Sequence, residues 1–209
     1  MANVKVLLVD DELAIINLVN AYLKPEGYEV YTATDGPSAL QAARAYKPDL
    51  IVLDVMLPGM DGLEVLTRLR RESNVYVILL TAKTEETDKI IGLSVGADDY
   101  VTKPFSMGEL LARLRVALRR AAKSEDEPIL TFGELSVDLA HRNVTMKGEE
   151  VKLTPTEYEV LKYLAQQAGR VVTHKQLLRA IWGSNYQEES QYLRVYIGQL
   201  RRKIEADPS

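Results

Sequence analysis

Residues 49–62 read DLIVLDVMLPGMDG, and this stretch decides the fold. Leu50, Ile51, Val52 and Leu53 run without alternation between two acids, Asp49 and Asp54. An apolar run of this kind suits a strand buried on both faces of a parallel sheet. Asp54 then stands at the strand's carboxyl end, before a loop carrying Pro58, Gly59 and Gly62. Ligands of open α/β sheets bind outside the carboxyl ends of the strands. Asp is also a common turn residue, so Asp54 alone leaves a turn and a site both open.

Other strand ends decide between them. The apolar run Val4 to Val9 ends in Asp10-Asp11-Glu12, Val75 to Leu80 ends in Thr81-Ala82, and Tyr100-Val101-Thr102 ends in Lys103-Pro104. Parallel strands of one sheet bring Asp10, Asp11 and Asp54 to a single edge. Three carboxylates in one pocket repel and call for a cation or raised pKa values. Oxygen donors without His or Cys suit a hard divalent ion, Mg²⁺ before Zn²⁺. Thr81 adds a hydroxyl and Lys103 an ammonium. A metal, a hydroxyl and a lysine around one carboxylate form a site for a phosphoryl group on that carboxylate.

These motifs resemble the receiver domain of bacterial two-component response regulators: DDE at 10–12, LDVMLPGMDG at 53–62, TA at 81–82 and TKPF at 102–105. The resemblance implies a flavodoxin-like fold with Asp54 as phosphoacceptor. It implies Mg²⁺ held by Asp10, Asp11, Asp54 and the Met56 carbonyl. It makes Thr81, with Ala82, the switch contact to the phosphoryl group, Lys103 its ion-pair partner, and Tyr100 a ring that packs inward on activation. Lys103–Pro104 is expected to be cis. A haloacid-dehalogenase phosphatase is an alternative, but Asp54-Val55-Met56 lacks the second Asp of that family's DxD motif. A DNA-binding regulator with a vestigial pocket is a second alternative, against which the intact acid, Thr and Lys set argues, and a receiver regulating through protein contact alone is a third, against which a second domain argues.

The 209 residues are 46% hydrophobic and 27% charged, an ordinary globular composition that as a soft prior allows one or two domains. Cysteine is absent, which excludes disulfides and thiolate metal sites. No apolar run approaches the ~20 residues of a membrane span. The start, MANVKVLLVDDE, reads as a strand and not as a signal peptide, so a cytoplasmic protein is expected. The net charge is −4, and neither half of the chain is net positive. Nucleic-acid binding therefore has to rest on a local patch.

Residues 1–121 read as alternating strands and helices, which predicts a five-stranded parallel sheet covered on both faces. Helices are expected over Leu13–Lys24, Gly36–Tyr46, Gly62–Glu72, Glu85–Val95 and Met107–Arg120. AAKSEDEP follows, small, charged and closed by Pro128; residues 122–128 read as a linker. Residues 129–209 read as a second domain. Four short strands are expected, Ile129–Phe132, Leu135–Asp138, Asn143–Lys147 and Glu150–Leu153, in an antiparallel meander. Thr154-Pro155-Thr156-Glu157 is a capping box opening a helix. Thr173 caps a second helix stopped by Gly183, and the last begins near Glu188–Ser190 and runs to about Glu205.

Helix, turn and basic helix form the helix-turn-helix layout. At about 100° per residue, Leu193, Ile197, Leu200 and Ile204 share the buried face of the last helix. Gln191, Val195, Gly198, Gln199 and Arg202 lie opposite, flanked by Arg194 and Arg201 on one side and Tyr192 and Lys203 on the other. Gln and Arg can read base edges and Val can meet a thymine methyl. With His174, these residues form the expected DNA-contacting set.

Residues 129–205 resemble the winged-helix effector domain of the OmpR/PhoB subfamily, through LTPTEYEVL, VVTHKQLL and LRVYIGQLRRKIE. Residues 182–205 most resemble its regulators of potassium-transport operons. That family continues into a C-terminal β-hairpin, whereas this sequence stops at Ser209, so an α+β winged helix-turn-helix domain without that hairpin is expected. The resemblance implies a sensor histidine kinase and promoter DNA as partners, with RNA polymerase as a further one. It also implies a homodimer on phosphorylation, through Lys89–Glu109, Asp99–Arg113 and Asp98–Arg120 pairs.

Overall fold

A computed structural model of the protein describes residues 4–82, 92–120, 128–183 and 190–205. The chain divides into two compact units, Met1–Leu118 and Arg119–Ser209.

The first unit runs β1 (Lys5–Val9), α1 (Leu13–Leu23), β2 (Glu29–Ala33), α2 (Gly36–Tyr46), β3 (Leu50–Asp54), α3 (Gly62–Glu72), β4 (Tyr76–Thr81), β5 (Asp99–Thr102) and α4 (Met107–Arg120). All strand pairs are parallel, in the order β2-β1-β3-β4-β5. The three inner strands are buried along almost their whole length, which is why their sequences lack alternation. On one face Val6, Leu8, Leu50, Val52, Ile78 and Leu80 meet Ile16, Val19 and Leu23 of α1 and Leu110, Leu114 and Ala117 of α4. The helix α2 packs on β1, β2 and α3. Asp35 caps α2 by accepting the Ser38 N–H at 2.8 Å, and Asp61 caps α3 by accepting that of Glu64 at 2.8 Å. Asp49 stays outside β3; its carboxylate accepts the Lys5 N–H and its own N–H donates to the Lys5 carbonyl. Of the helix expected over 85–95, residues 92–94 are helical. Residues 83–91 and the linker stretch 121–127 lie outside the described residues.

The second unit contains β6 (Ile129–Phe132), β7 (Leu135–Asp138), β8 (Asn143–Met146), β9 (Glu149–Glu150), α5 (Pro155–Gln166), α6 (His174–Trp182) and α7 (Ser190–Ile204). The strands form an antiparallel meander in sequence order. The fourth strand is shorter and earlier than expected. Lys147 and Gly148 both have positive φ, at 56° and 83°, the requirement of a tight type I′ hairpin turn. Glu149 therefore pairs with Met146, and after Val151 donates to the Val144 carbonyl the chain turns inward to bury Leu153 and Thr154. Reciprocal capping boxes open α5 (Thr154 with Glu157) and α6 (Thr173 with Gln176).

The helix α7 buries Leu193 and Leu200 as expected, but its inner stripe is centred on Tyr196, which is fully buried with its ring 5.3 Å from that of Trp182. Tyr192 is a correction. Expected on the DNA side, it is only 6% exposed, because Tyr192, Tyr196 and Leu200 follow one another at four-residue spacing and their bodies are hydrophobic. Ile197 and Ile204 are half-buried at the edge of the stripe.

Candidate functional site

The carboxyl ends of β1, β3 and β4 bring Asp10, Asp54 and Thr81 together, with Lys103 just beyond β5. Asp10 is fully buried and Asp54 is 2% exposed; Thr81 is buried and Asp11 exposed. Asp10, Asp11 and Asp54 each place one carboxylate oxygen within 4.8 Å of the others. Lys103 Nζ lies 2.8 Å from Asp10 Oδ2, 2.8 Å from Asp54 Oδ2 and 3.9 Å from Glu12 Oε1. Asp10 Oδ1 accepts the Glu12 N–H at 2.9 Å, and Asp54 Oδ1 accepts the Met56 N–H at 3.1 Å. Lys103 N donates to the Thr81 carbonyl at 2.7 Å, and the following bond to Pro104 is cis.

Burial raises the Asp10 carboxyl above its ordinary range, with the Asp54 charge adding to it; Lys103 and the Glu12 N–H pull the other way. Burial pulls Lys103 down, but its hydrogen bonds and attraction to Asp10 and Asp54 outweigh that and hold it above the usual lysine value. The pocket is thus built to hold positive charge between two buried acids. Its donors are all oxygens, which fits a hard divalent cation. Tyr100 is buried on β5, Ala82 is exposed, and the Met56 side chain faces solvent.

Two supports of the pocket were not singled out as functional residues. A Cβ on Gly62 would lie 2.1 Å from the Asp54 carbonyl oxygen and 2.8 Å from Val55 Cα. Only glycine lets the first residue of α3 pass so close beneath the acceptor, where Gly62 N donates to Val55 O at 2.9 Å. Its signal is a glycine directly after the capping Asp61. Gly36, which opens α2, has the Met60 carbonyl 2.9 Å from where its Cβ would be, and so holds the acceptor loop from the other side.

The charge set expected to face a second copy is engaged within the chain. Arg113 Nη1 is 2.9 Å from Asp99 Oδ1, and its Nη2 is 2.6 Å from Glu109 Oε1. Asp98 is a correction to the expected Asp98–Arg120 pair. It is fully buried, and its Oδ2 accepts from Arg70 Nη2 at 2.6 Å and from the Val77 N–H at 2.9 Å. Arg70 also donates to the Gly96 and Val75 carbonyls. Lys89 and the Arg120 side chain lie outside the described residues.

On α7, Gln191, Arg194 and Arg202 are exposed, and Val195, Gly198 and Gln199 are half-buried. Arg201 pairs with Glu205 at 2.7 Å. Lys203 is exposed, and its ammonium binds Glu157 of α5 at 2.6 Å. His174 is exposed at the start of α6.

Residues 6–115 match the response regulator receiver domain, and residues 148–209 match the C-terminal domain of transcriptional regulatory proteins. The transcriptional regulatory protein KdpE of Mycobacterium tuberculosis is 48% identical over 98% of this chain and 91% of its own length. The chain belongs to the OmpR/PhoB family of two-component response regulators. The KDP operon transcriptional regulatory protein KdpE of Escherichia coli, also in this family, is 48% identical over 98% of this chain and 91% of its own. The structure of the response regulator DrrB of Thermotoga maritima, an OmpR/PhoB homologue, aligns with a TM-score of 0.55 at 34% identity, covering 99% of this chain and 92% of that one. OmpR/PhoB proteins are phosphorylation-dependent DNA-binding regulators and not conventional enzymes, so the acidic pocket here is a receiver site and α5–α7 are its effector helices. Family membership brings a histidine kinase and DNA as partners. Among the described residues no helix is long and apolar enough to cross a membrane.

Proposed function

We propose that Asp54 accepts a phosphoryl group from a sensor histidine kinase in the cytoplasm, and that Mg²⁺ is held by Asp10, Asp11, Asp54 and the Met56 carbonyl. The observation that carries this is the near-complete burial of Asp54 beside Lys103 and two further acids. In the transfer the bond from phosphorus to the kinase nitrogen breaks and one to an Asp54 oxygen forms. The cation, when bound, neutralises charge on the transferring group. Asp54 supplies the accepting oxygen, held at its other oxygen by the Met56 N–H. Lys103, free to leave Asp10, follows the negative charge. Thr81 turns its hydroxyl to the phosphoryl group beside the Ala82 N–H, and Tyr100 packs behind it, which biases a two-state surface.

That surface includes Asp99, Glu109 and Arg113 with Lys89 and Arg120, and it meets its copy in a two-fold dimer. The dimer presents two copies of α7 to promoter DNA, through Gln191, Arg194, Val195, Gln199, Arg201 and Arg202, with His174 nearby. RNA polymerase is a further partner. The likeness to the KdpE proteins supports control of a potassium-transport operon.

The test is sedimentation with Mg²⁺, with and without beryllofluoride, beside Asp54→Ala. A monomer-to-dimer shift only with the intact acid is expected. Absence of any phosphoryl uptake by mass would remove the receiver from the mechanism.

A further inference from the structure

The structure assigns Lys203 a positioning role: it is the pin that sets the rotation of α7 about its own axis, and it is not a DNA contact. This inference rests on the reading that α7 meets DNA.

Glu157 occupies the third position of α5 and is 1% exposed. Its Oε2 accepts the Thr154 N–H at 2.8 Å, the capping bond, and the Lys203 ammonium at 2.6 Å. A buried carboxylate needs such compensation, since truncating one partner leaves a charge stranded in low dielectric. Lys203 uses a second of its three donors on the Lys152 carbonyl at 3.1 Å. The ammonium therefore faces the β9–α5 connection and the first turn of α5, and only one N–H remains for anything else.

The consequence for α7 is geometric. Nine residues separate Arg194 from Lys203, which at about 100° per residue is about half a turn of azimuth. Fixing Lys203 against α5 turns Arg194 directly away from the unit, while Arg202 stays exposed. Tyr192 and Tyr196 hold the same inner edge further up the helix by packing. Lys203 adds to that slippery aromatic contact a directional, charge-assisted bond at the last turn, which resists roll.

A phosphate contact and a pin give different salt dependences. Each phosphate neutralised contributes about 0.9 to the slope of log affinity against log salt. The experiment uses the full chain and a mixed-sequence 30-base-pair duplex, over a salt series, well below every variant's unfolding transition. Lys203→Met is expected to bind several-fold more weakly with an unchanged slope, and Lys203→Arg to restore binding. Arg202→Met is expected to lower the slope by about one. In unfolding, Lys203→Met and Glu157→Gln are expected to be non-additive. A Lys203→Met slope lower by about one, additive unfolding effects, or unchanged affinity would each overturn the pin. Failure of the unmutated chain to bind the duplex would instead sink the DNA reading, and with it the positioning role, even where the two side chains prove coupled in unfolding.

Discussion

At the scale of single residues, the pocket is a problem in charge, and Lys103 is its present solution. One ammonium bridges Asp10 and Asp54, so a divalent ion has to take Asp10 from it. Lys103→Met is expected to bind Mg²⁺ about thirtyfold more tightly by calorimetry, from ~2 kcal/mol for a unit charge beside a divalent ion at about 4 Å in water. The same variant should take up phosphoryl poorly, because the transferred group loses its ion-pair partner; weaker Mg²⁺ binding would contradict the competition. The acceptor loop's glycines separate two kinds of necessity. Gly59 has φ +77° with open space around it, whereas Gly62 has no room for a Cβ at all. Gly59→Ala should cost about 1 kcal/mol in urea unfolding and leave phosphoryl uptake intact. Gly62→Ala should cost about 1–3 kcal/mol and impair uptake, because what must move is the backbone of Asp54 and Val55. Equal uptake by the two variants would refute this distinction. The acids, Thr81 and Lys103 were legible in sequence because each follows an apolar run. The role of Gly62 was not, because a missing Cβ matters only against backbone brought close by the fold.

Among the elements, what was legible tracks what is local. Helix caps, the hairpin turns and the unbroken apolar strands are short-range signals, and β1 to β5 and α1 to α4 follow them closely. Arg70 has no such signal. Its partners Gly96 and Asp98 are 26 and 28 residues away, and the bond exists only because α3 ends beside the turn entering β5. Burial makes that clamp consequential. Arg70→Met should destabilise the protein by about 3–5 kcal/mol in urea unfolding, the order seen when a buried carboxylate loses its cation. Adding Asp98→Asn should recover part of it, since the amide oxygen can still accept the Val77 N–H while the stranded charge is gone. No recovery would mean that Arg70 matters by packing alone. The α7 wheel was misplaced for a related reason. A tyrosine on a basic helix can serve as a polar DNA contact or as a core body, and sequence does not choose. The buried stripe settles it for Tyr192: it lies one and two turns before Tyr196 and Leu200, and Tyr196 is anchored by its ring on Trp182 of α6.

On the scale of the whole molecule, the proposed dimer would have to form from a monomer in which Asp99, Glu109 and Arg113 are already matched to one another. Asp99 and Glu109 share Arg113 within one chain, so the proposed association would exchange partners and not pair bare charges. The return from such a dimer would be a second effector domain held at high effective concentration near a neighbouring half-site. The obvious reversal, Arg113→Glu, is a poor probe, because Arg113 is largely buried and a third acid beside Asp99 and Glu109 would disturb the fold itself. Glu109 is more open, with its side chain 41% exposed. Under Mg²⁺ and beryllofluoride, Glu109→Lys should sediment as a monomer, since it would set two lysines against each other across the two-fold axis. Combining it with Lys89→Glu should restore the dimer, because the swap returns opposite charges to facing positions without adding net charge. Asp54→Ala should stay monomeric in every background. A Glu109→Lys dimer, or a double swap that stays monomeric while folded, would place the interface elsewhere on the receiver and leave the charge set around Arg113 as a purely internal network.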